Sequence, residues 1–281
     1  MPYEMDRADK VVILARGLGT RMRKQDADAL LDRRQAAIAE TGVKALIPLA
    51  AGDRARPFLD YILHAVAEAG YRRFCLVIGP EHRELRDYYE NELKPTRISI
   101  EFAIQEKPLG TANAVAAAEL FADGDDFLML NSDNFYPTEA CRLLRELNGT
   151  GVAVFDRDAM IRRSNISADR IQKFAVAIIT ANGRLARVIE KPGAQTIASL
   201  GQEVYVSMNC WRFSSAIFNA CRAIGPSSRG EYEITDAVQY AIDRLGESFC
   251  VVRSNEPVLD LSHRSDIASV SALLRDAEVR L

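Results

Sequence analysis

The stretch Ile13-Leu14-Ala15-Arg16-Gly17-Leu18-Gly19-Thr20-Arg21 follows the apolar run Val11-Val12-Ile13-Leu14. A buried strand thus runs into a loop that carries glycines and a cation. Gly17 and Gly19 can take positive φ and let backbone N–H groups approach a ligand closely. Such N–H groups form an anion-binding concavity, and the forked guanidinium of Arg21 suits phosphate. No Gly-Lys-Ser/Thr ends the loop, so it is not a Walker A motif. No third glycine stands at the spacing of the dinucleotide fingerprint. Gln105 and Asp133 also fall just after predicted strands. Doubly wound sheets bind ligands at the carboxyl ends of their strands, so three polar groups at one sheet edge point to a site.

More blocks follow in order. They are Lys44-Ala45-Leu46-Ile47-Pro48-Leu49, Gln105-Glu106-Lys107-Pro108-Leu109-Gly110-Thr111-Ala112 and Leu130-Asn131-Ser132-Asp133-Asn134. Then come Glu190-Lys191-Pro192, Gly230-Glu231-Tyr232-Glu233-Ile234-Thr235-Asp236 and Val258-Leu259-Asp260-Leu261. Together with the glycine loop, these resemble the sugar-1-phosphate nucleotidylyltransferases. There the corresponding blocks run Leu-Ala-Gly/Ala-Gly-x-Gly-Thr-Arg, Lys-x-Leu-x-Pro-Val, a base-reading loop, Gly-Asp-Asn and Trp-x-Asp-x-Gly-Thr. The resemblance covers nearly the whole chain. Each block is weak alone, and their shared order is what carries it.

That resemblance implies a chemistry. A sugar 1-phosphate displaces pyrophosphate in line at the α-phosphorus of a nucleoside triphosphate (NTP). Positioning and charge neutralisation carry nearly all of such a reaction. The implied cofactor is Mg²⁺, which prefers oxygen ligands and keeps several waters. Its implied ligands are Asp133 and Asp260. Arg21 is implied at the β- and γ-phosphates, Lys44 at the α-phosphate and Lys191 at the sugar phosphate. Asn134, Glu190 and Asn209 are implied at the sugar. Leu14, Ala15, Arg16, Gly17, Leu18, Gly19, Thr20, Gln105, Gly110, Thr111 and Asp133 would surround the nucleotide. Plainer readings stand beside these. Asp133 also reads as a turn cap, Lys44 as a surface ion pair, Glu190-Lys191-Pro192 as an ordinary turn, and Asn209 as a capped polar group in the core.

The base expected is uracil or thymine, so the NTP is UTP or dTTP. Gln105, Gly110 and Thr111 resemble the loop that reads those bases. A glutamine amide offers a donor and an acceptor to their alternating edge, and Gly110 lets the backbone close on the ring.

Three departures stand out. Arg16 occupies the place of Gly or Ala, where it either adds a second phosphate cation or makes the loop sit differently. Leu261-Ser262-His263 replaces the x-Gly-Thr that follows the second metal aspartate. The stretch between Arg21 and Lys44 is longer than the family norm. Its extra part, Asp26–Glu40, has helical spacing at Ala29-Leu30, Arg33-Arg34 and Ala37-Ile38. That segment reads as a lid, an oligomer contact or a solvated face.

The elements that must position these residues alternate through the first half. Strands are expected over Val11–Ala15, Phe74–Ile78, Ile98–Ile104 and Phe127–Leu130. Helices are expected over Pro57–Ala69, Glu81–Leu93 and Thr111–Phe121. The second half predicts a hairpin of Phe174–Thr180 and Arg184–Glu190 around Asn182-Gly183. Strands follow at Val204–Phe213 and Phe249–Arg253. Helices are expected at Ser214–Ile224, at Thr235–Leu245 with Thr235 as N-cap, and at Ser265–Val279. The fold class is α/β, a doubly wound, mainly parallel Rossmann-like sheet with a small antiparallel sugar-binding lobe. We read residues 1–281 as one catalytic domain, with a nucleotide-binding half at about 8–150 and a sugar-binding, metal-completing half at about 151–281.

Composition sets the remaining bounds. Apolar residues make up 48% and charged residues 27% of 281 positions, as in a folded enzyme. Net charge is −3, which gives no bulk electrostatic case for nucleic acid or anionic membrane. No apolar run is long enough to span a bilayer, and no secretory signal is expected. The five cysteines form no C-x-x-C pair, so reduced thiols in a cytoplasm are the simplest reading. The expected partners are the NTP and the sugar 1-phosphate, with a homo-oligomer left open. A non-catalytic nucleotide-sugar-binding regulatory subunit on the same fold is the alternative. Retention of Arg21, Lys44, Asp133 and Asp260 together favours catalysis. A glycosyltransferase would want Asp-x-Asp after the fourth strand, and Asp133-Asn134-Phe135 does not supply it.

Overall fold

The computed structural model describes residues 8–27, 29–49, 55–201 and 203–281. The chain opens with β1 (Lys10–Leu14), α1 (Thr20–Arg23), α2 (Arg33–Thr41) and the short antiparallel pair β2 (Pro48–Leu49) and β3 (Arg56–Pro57). It continues through α3 (Phe58–Glu68), β4 (Arg73–Ile78), α4 (Arg83–Asp87), β5 (Ser99–Ile104), α5 (Thr111–Ala117), α6 (Glu119–Ala122) and β6 (Phe127–Asn131). Next come β7 (Asn134–Phe135), α7 (Thr138–Glu146), β8 (Gly151–Asp156), α8 (Arg157–Arg163), α9 (Ala168–Ile171), β9 (Ala175–Ile179) and β10 (Leu185–Ile189). The chain closes with α10 (Ala194–Ser199), β11 (Tyr205–Phe213), α11 (Ala216–Ala223), α12 (Ile234–Leu245), β12 (Cys250–Ser254), β13 (Leu259–Asp260) and α13 (Asp266–Leu273).

Among the described residues nine strands join in one sheet, with β6, β1, β4 and β5 side by side and parallel. Alternate residues of each strand feed two cores. Val11 and Ile13 pack on one face and Val12 on the other. Phe74, Leu76 and Ile78 oppose Cys75 and Val77 in the same way, as do Leu128 and Leu130 against Phe127 and Met129. A sheet covered on both faces needs near-continuous apolar strands, which is why these runs read so clearly. The expected doubly wound, mainly parallel sheet is therefore present.

β11 runs antiparallel and ties the halves together. Its first residues border β9, its last three border β6, and β8 lines its other edge. The register with β8 shifts between Ser207 and Cys210, where Asn209 adopts φ 57°. A bulge of this kind re-aims the side chain it carries.

Several elements differ from expectation. β8 was not expected at all. It is a six-residue buried run with no alternation to mark it. The helix expected over Thr111–Phe121 breaks at Ala118. That over Glu81–Leu93 starts at Arg83 and widens into a π turn at Tyr88–Glu92. The last helix stops at Leu273. Only the second part of Asp26–Glu40 is helical. Asp32 accepts from the Gln35 N–H at 2.8 Å and the Gln35 amide returns the bond, so this capping box starts the helix at Arg33. Asp28, within that segment, lies outside the described residues. Thr235 is not the cap of α12. It lies inside the helix, and the Ile234 N–H donates to Thr111 Oγ1 at 2.8 Å.

Candidate active site

The carboxyl ends of β1, β4, β5 and β6 share one edge, as parallel strands must. A cavity of about 360 Å³ opens there. The loop Leu14–Leu18 and Thr20, Lys44, Gln105, Gly110, Thr111 and Asp133 all line it. Gly19 anchors the loop from behind with φ 59°; a Cβ there would strike the Gly42 backbone, and Gly42 itself turns α2 away with φ 79°. The extra segment is thus seated beneath the glycine loop. Gln35 is buried and donates to the Pro48 carbonyl at 3.0 Å, and Arg23 donates to the Thr41 carbonyl. The Gln35 contact ties this segment to β2, while Arg33 and Arg34 stay exposed, as a solvated arginine face requires.

Lys44 begins a 3₁₀ turn directly after that junction, and its Nζ meets Asp133 Oδ2 at 2.8 Å. Arg21, in α1, is exposed, and its charge also acts on Asp133. Burial pushes the Asp133 carboxyl up, but Lys44 and Arg21 outweigh it and hold the group below its usual range.

Asp260 reaches Asp133 by a route that spacing alone does not reveal. β7 and β13 form a two-strand ribbon outside the main sheet that pairs Asp260 with Asn134, and the Leu261 N–H donates to the Asp133 carbonyl at 2.9 Å. Both Asp260 oxygens are taken. Oδ1 accepts from Asn134 Nδ2 at 2.9 Å and from Ser262 Oγ at 3.0 Å, and Oδ2 accepts from Arg170. Asn165 holds the Asp260 backbone at both N–H and carbonyl. Arg170 also binds Asp266 at 2.6 Å. Burial, and then the charge of Asp133, push Asp260 up to about 6 despite Arg170.

Asp133 and Asp260 therefore differ as candidate metal ligands. Asp133 lines the cavity with an oxygen not engaged by Lys44, which fits Mg²⁺ bound through one carboxylate plus substrate phosphates. Asp260 Oδ1 already accepts two hydrogen bonds, and Oδ2 accepts one, from Arg170. Among the described residues no three His, Cys, Asp or Glu side chains converge as a metal cage.

The base-reading expectation changes in detail. Gln105 Nε2 donates to the Gly110 carbonyl at 3.0 Å and to Asn113 Oδ1 at 2.9 Å. A carbonyl only accepts, so the amide orientation is fixed. Both hydrogens are spent, and Oε1 remains as an acceptor alone. Gly110 is needed for a different reason than expected. At φ 120°, a Cβ there would lie 2.5 Å from the Tyr232 carbonyl oxygen. The Gly230–Asp236 block packs on the base loop through Tyr232 N–H to the Leu109 carbonyl at 2.8 Å and Ala112 N–H to the Tyr232 carbonyl at 2.9 Å. Arg16 does not stand free for phosphate. Its guanidinium pairs with Glu81 at 3.2 Å and donates to the Gln105 carbonyl, toward β4 and β5 and away from Asp133.

The expected sugar contacts lie outside the cavity lining. Asn134 is buried between Asn131 and Asp260 and serves to hold that carboxylate. Asn209 Oδ1 accepts from the Trp211 indole N–H at 3.3 Å. Glu190 is exposed and accepts from Thr235 Oγ1 at 3.3 Å. Lys191 is exposed and holds φ 45°, a strained backbone for a non-glycine residue and a feature that clusters at functional sites. Sequence reasoning missed Arg170, Asp266, Asn165 and Glu81. No motif marks them, and only the ribbon and the strand ends bring them to the site.

Comparison with known proteins agrees with this architecture. The family model described as nucleotidyl transferase matches residues 10–277. Glucose-1-phosphate thymidylyltransferase of Streptomyces griseus is 32% identical over 236 residues, covering 83% of this chain and 57% of that protein. UTP–glucose-1-phosphate uridylyltransferase AglF of Haloferax volcanii is 25% identical over 258 residues, covering 92% of this chain and 93% of that protein. A solved UDP-glucose pyrophosphorylase complexed with UDP-glucose superposes with TM-score 0.70 at 17% identity, covering 96% of this chain and 100% of that one. At that identity the superposition shows the fold. The chain spans about half the length of several other curated relatives. The chain belongs to the nucleotidyl transferase family.

Proposed function

We propose that this member of the nucleotidyl transferase family transfers a nucleotidyl group from UTP or dTTP to a sugar 1-phosphate. An oxygen of the sugar phosphate forms a bond to the α-phosphorus while the bond to the bridging oxygen breaks, and pyrophosphate departs with the electron pair. One observation carries the reading: the glycine loop, Lys44, Asp133 and the Gln105 acceptor line a single cavity at the carboxyl edge of the sheet. Strong likeness to a thymidylyltransferase and a uridylyltransferase supports the same base class.

The loop backbone and Arg21 neutralise the leaving phosphates, and Lys44 neutralises the α-phosphate where charge develops. Bound Mg²⁺ would polarise phosphoryl oxygens. Asp133 would hold it, and Asp260 would join only where Arg170 yields an oxygen. Lys191, strained at φ 45°, is the candidate for the sugar phosphate. Glu190 and Asn209 are its candidate neighbours at the sugar.

A pyrophosphate-release screen of UTP, dTTP, CTP, ATP and GTP against a panel of sugar 1-phosphates, with Mg²⁺, tests the proposal. UTP or dTTP should give the highest kcat/KM, and Gln105→Ala should flatten the ranking. No pyrophosphate from any pair, or ATP or GTP ranked first, would overturn it.

A further inference from the structure

Arg16 departs from the motif at the point where the loop comes nearest the ligand. Its side chain is only 7% exposed, and it forms part of the cavity wall. The surroundings are shaped to hold it. Gly79, at the end of β4, makes room, because a Cβ there would lie 2.5 Å from Arg16 Nε. Glu81 receives Nε and Nη2 at 3.2–3.3 Å, and the Gln105 carbonyl receives one hydrogen of Nη1. A guanidinium has five N–H donors in a fixed fork. One Nη1 hydrogen remains unspent, on the nitrogen that is bonded to the Gln105 backbone carbonyl. That amide keeps Oε1 as an acceptor and has no hydrogen left to give.

Resting on the proposed nucleotide site, we infer that Arg16 and Gln105 together read an imide edge. The ring N–H of uracil or thymine donates to Gln105 Oε1, and the adjacent carbonyl accepts from Arg16. Cytosine presents a ring nitrogen lone pair where the N–H should be. Two acceptors then face each other, and the buried amide oxygen stays unpaired. The 5-methyl group meets neither side chain, so this pair does not separate UTP from dTTP. Glu81 both anchors the fork and cancels its charge, so Arg16 serves the base rather than the phosphates.

The test is equilibrium binding of UTP, CTP and inorganic triphosphate to the whole protein without sugar phosphate. The comparison uses wild type, Arg16→Gly, Arg16→Lys and Glu81→Gln. Wild type should favour UTP over CTP. Arg16→Gly should reduce that ratio by about tenfold to a hundredfold, as expected for a lost hydrogen bond to a charged donor, with triphosphate binding unchanged. Arg16→Lys should lose most of the ratio, since a single ammonium cannot serve Glu81, the Gln105 carbonyl and the base at once. Glu81→Gln should lose less. If Arg16→Gly does not melt cooperatively, the Lys and Gln variants decide the matter. A ratio within twofold of wild type in Arg16→Gly or Arg16→Lys overturns the inference, and so does a parallel loss of triphosphate binding. Base-selective binding without pyrophosphate release would defeat the proposed function and leave this inference standing.

Discussion

Asp260 lies in the β7–β13 ribbon and Asp133 in the turn that leads into it, and the two meet opposite fates. Asp133 faces the cavity, is held below its usual range by Lys44 and Arg21, and keeps an oxygen for a ligand. Asp260 is buried, and both its oxygens already accept, from Asn134, Ser262 and Arg170. The same contrast holds around each. Asp133 has one ion pair among the described residues, with Lys44, and Arg21, whose charge also acts on it, is exposed. Around Asp260, Arg170 is shared with Asp266, and Asp266 accepts from the N–H groups of Ser262 and His263 at 2.9 and 2.8 Å. A region that receives a charged ligand must leave valences open. A region that holds a loop in place must close them. The same side-chain type is thus left open to a ligand on one side and tied into the architecture on the other.

The largest expected effect breaks the open side. Asp133→Asn should lower kcat by about 10³-fold, on the order of 4 kcal/mol in the barrier. Its melting temperature should stay close to wild type, because the lost partner of Lys44 faces the cavity. Steady-state pyrophosphate release and a thermal melt on the same preparation check both halves. Normal turnover in Asp133→Asn, or in wild type with excess chelator, would remove Asp133 from the metal role.

The closed side should answer in stability. Arg170→Gln leaves Asp260 and Asp266 buried without their shared cation. Breaking a buried pair by removing one partner costs about 3 kcal/mol. For a chain of this length that corresponds to a fall in Tm of roughly 10 °C. Urea unfolding of Arg170→Gln beside Asp133→Asn measures the contrast directly. If Arg170→Gln melts within about 2 °C of wild type, the network does not clamp this part of the fold.

The same contrast explains what was legible in the sequence. The open side depends on short motifs at strand ends, and the strands themselves are apolar on both faces. Leu14–Arg21, Gln105 and Asp133 could therefore be placed from spacing alone. The closed side depends on a two-strand ribbon that pairs Asp260 with Asn134, 126 positions apart. Arg170 lies in a four-residue helix that reads as an ordinary solvated turn. Local signals misled where tertiary partners took over. Thr235 looks like a cap, but Thr111 caps that helix from another part of the chain. Gly110 looks as if it makes room for a base, but it makes room for Tyr232. Gln105 was correctly placed at the edge, while its donors could not be known to be spent until Gly110 and Asn113 were in view.

A third carboxylate sharpens the comparison with the smallest effect. Asp60, on α3, is fully buried in the nucleotide half and has tyrosines in place of lysine. It accepts from Tyr88 and Tyr89 hydroxyls, each at 2.8 Å, with Arg56 at 3.6 Å. Burial raises its pKa above the usual carboxylate range, and these partners only reduce the rise. The sign follows from proton binding. A raised pKa means that the folded state holds the Asp60 proton where the unfolded chain, at about 3.9, has begun to release it. Stability from this group is therefore greatest below that pH and declines as pH rises through the raised folded value. Asp60→Asn carries no such titration. It does lose one tyrosine bond at every pH, since an amide nitrogen cannot accept. The variant should thus be less stable than wild type near pH 4, and the gap should narrow toward neutral pH. Chemical unfolding of both proteins at about pH 4.5 and pH 7 measures the gap. A constant gap would show that folding leaves the Asp60 pKa unraised, and a gap that widens toward neutral pH would show that Asp60 is stabilised as an anion, as Asp133 is, with tyrosine hydroxyls doing for one buried carboxylate what cations do for the other.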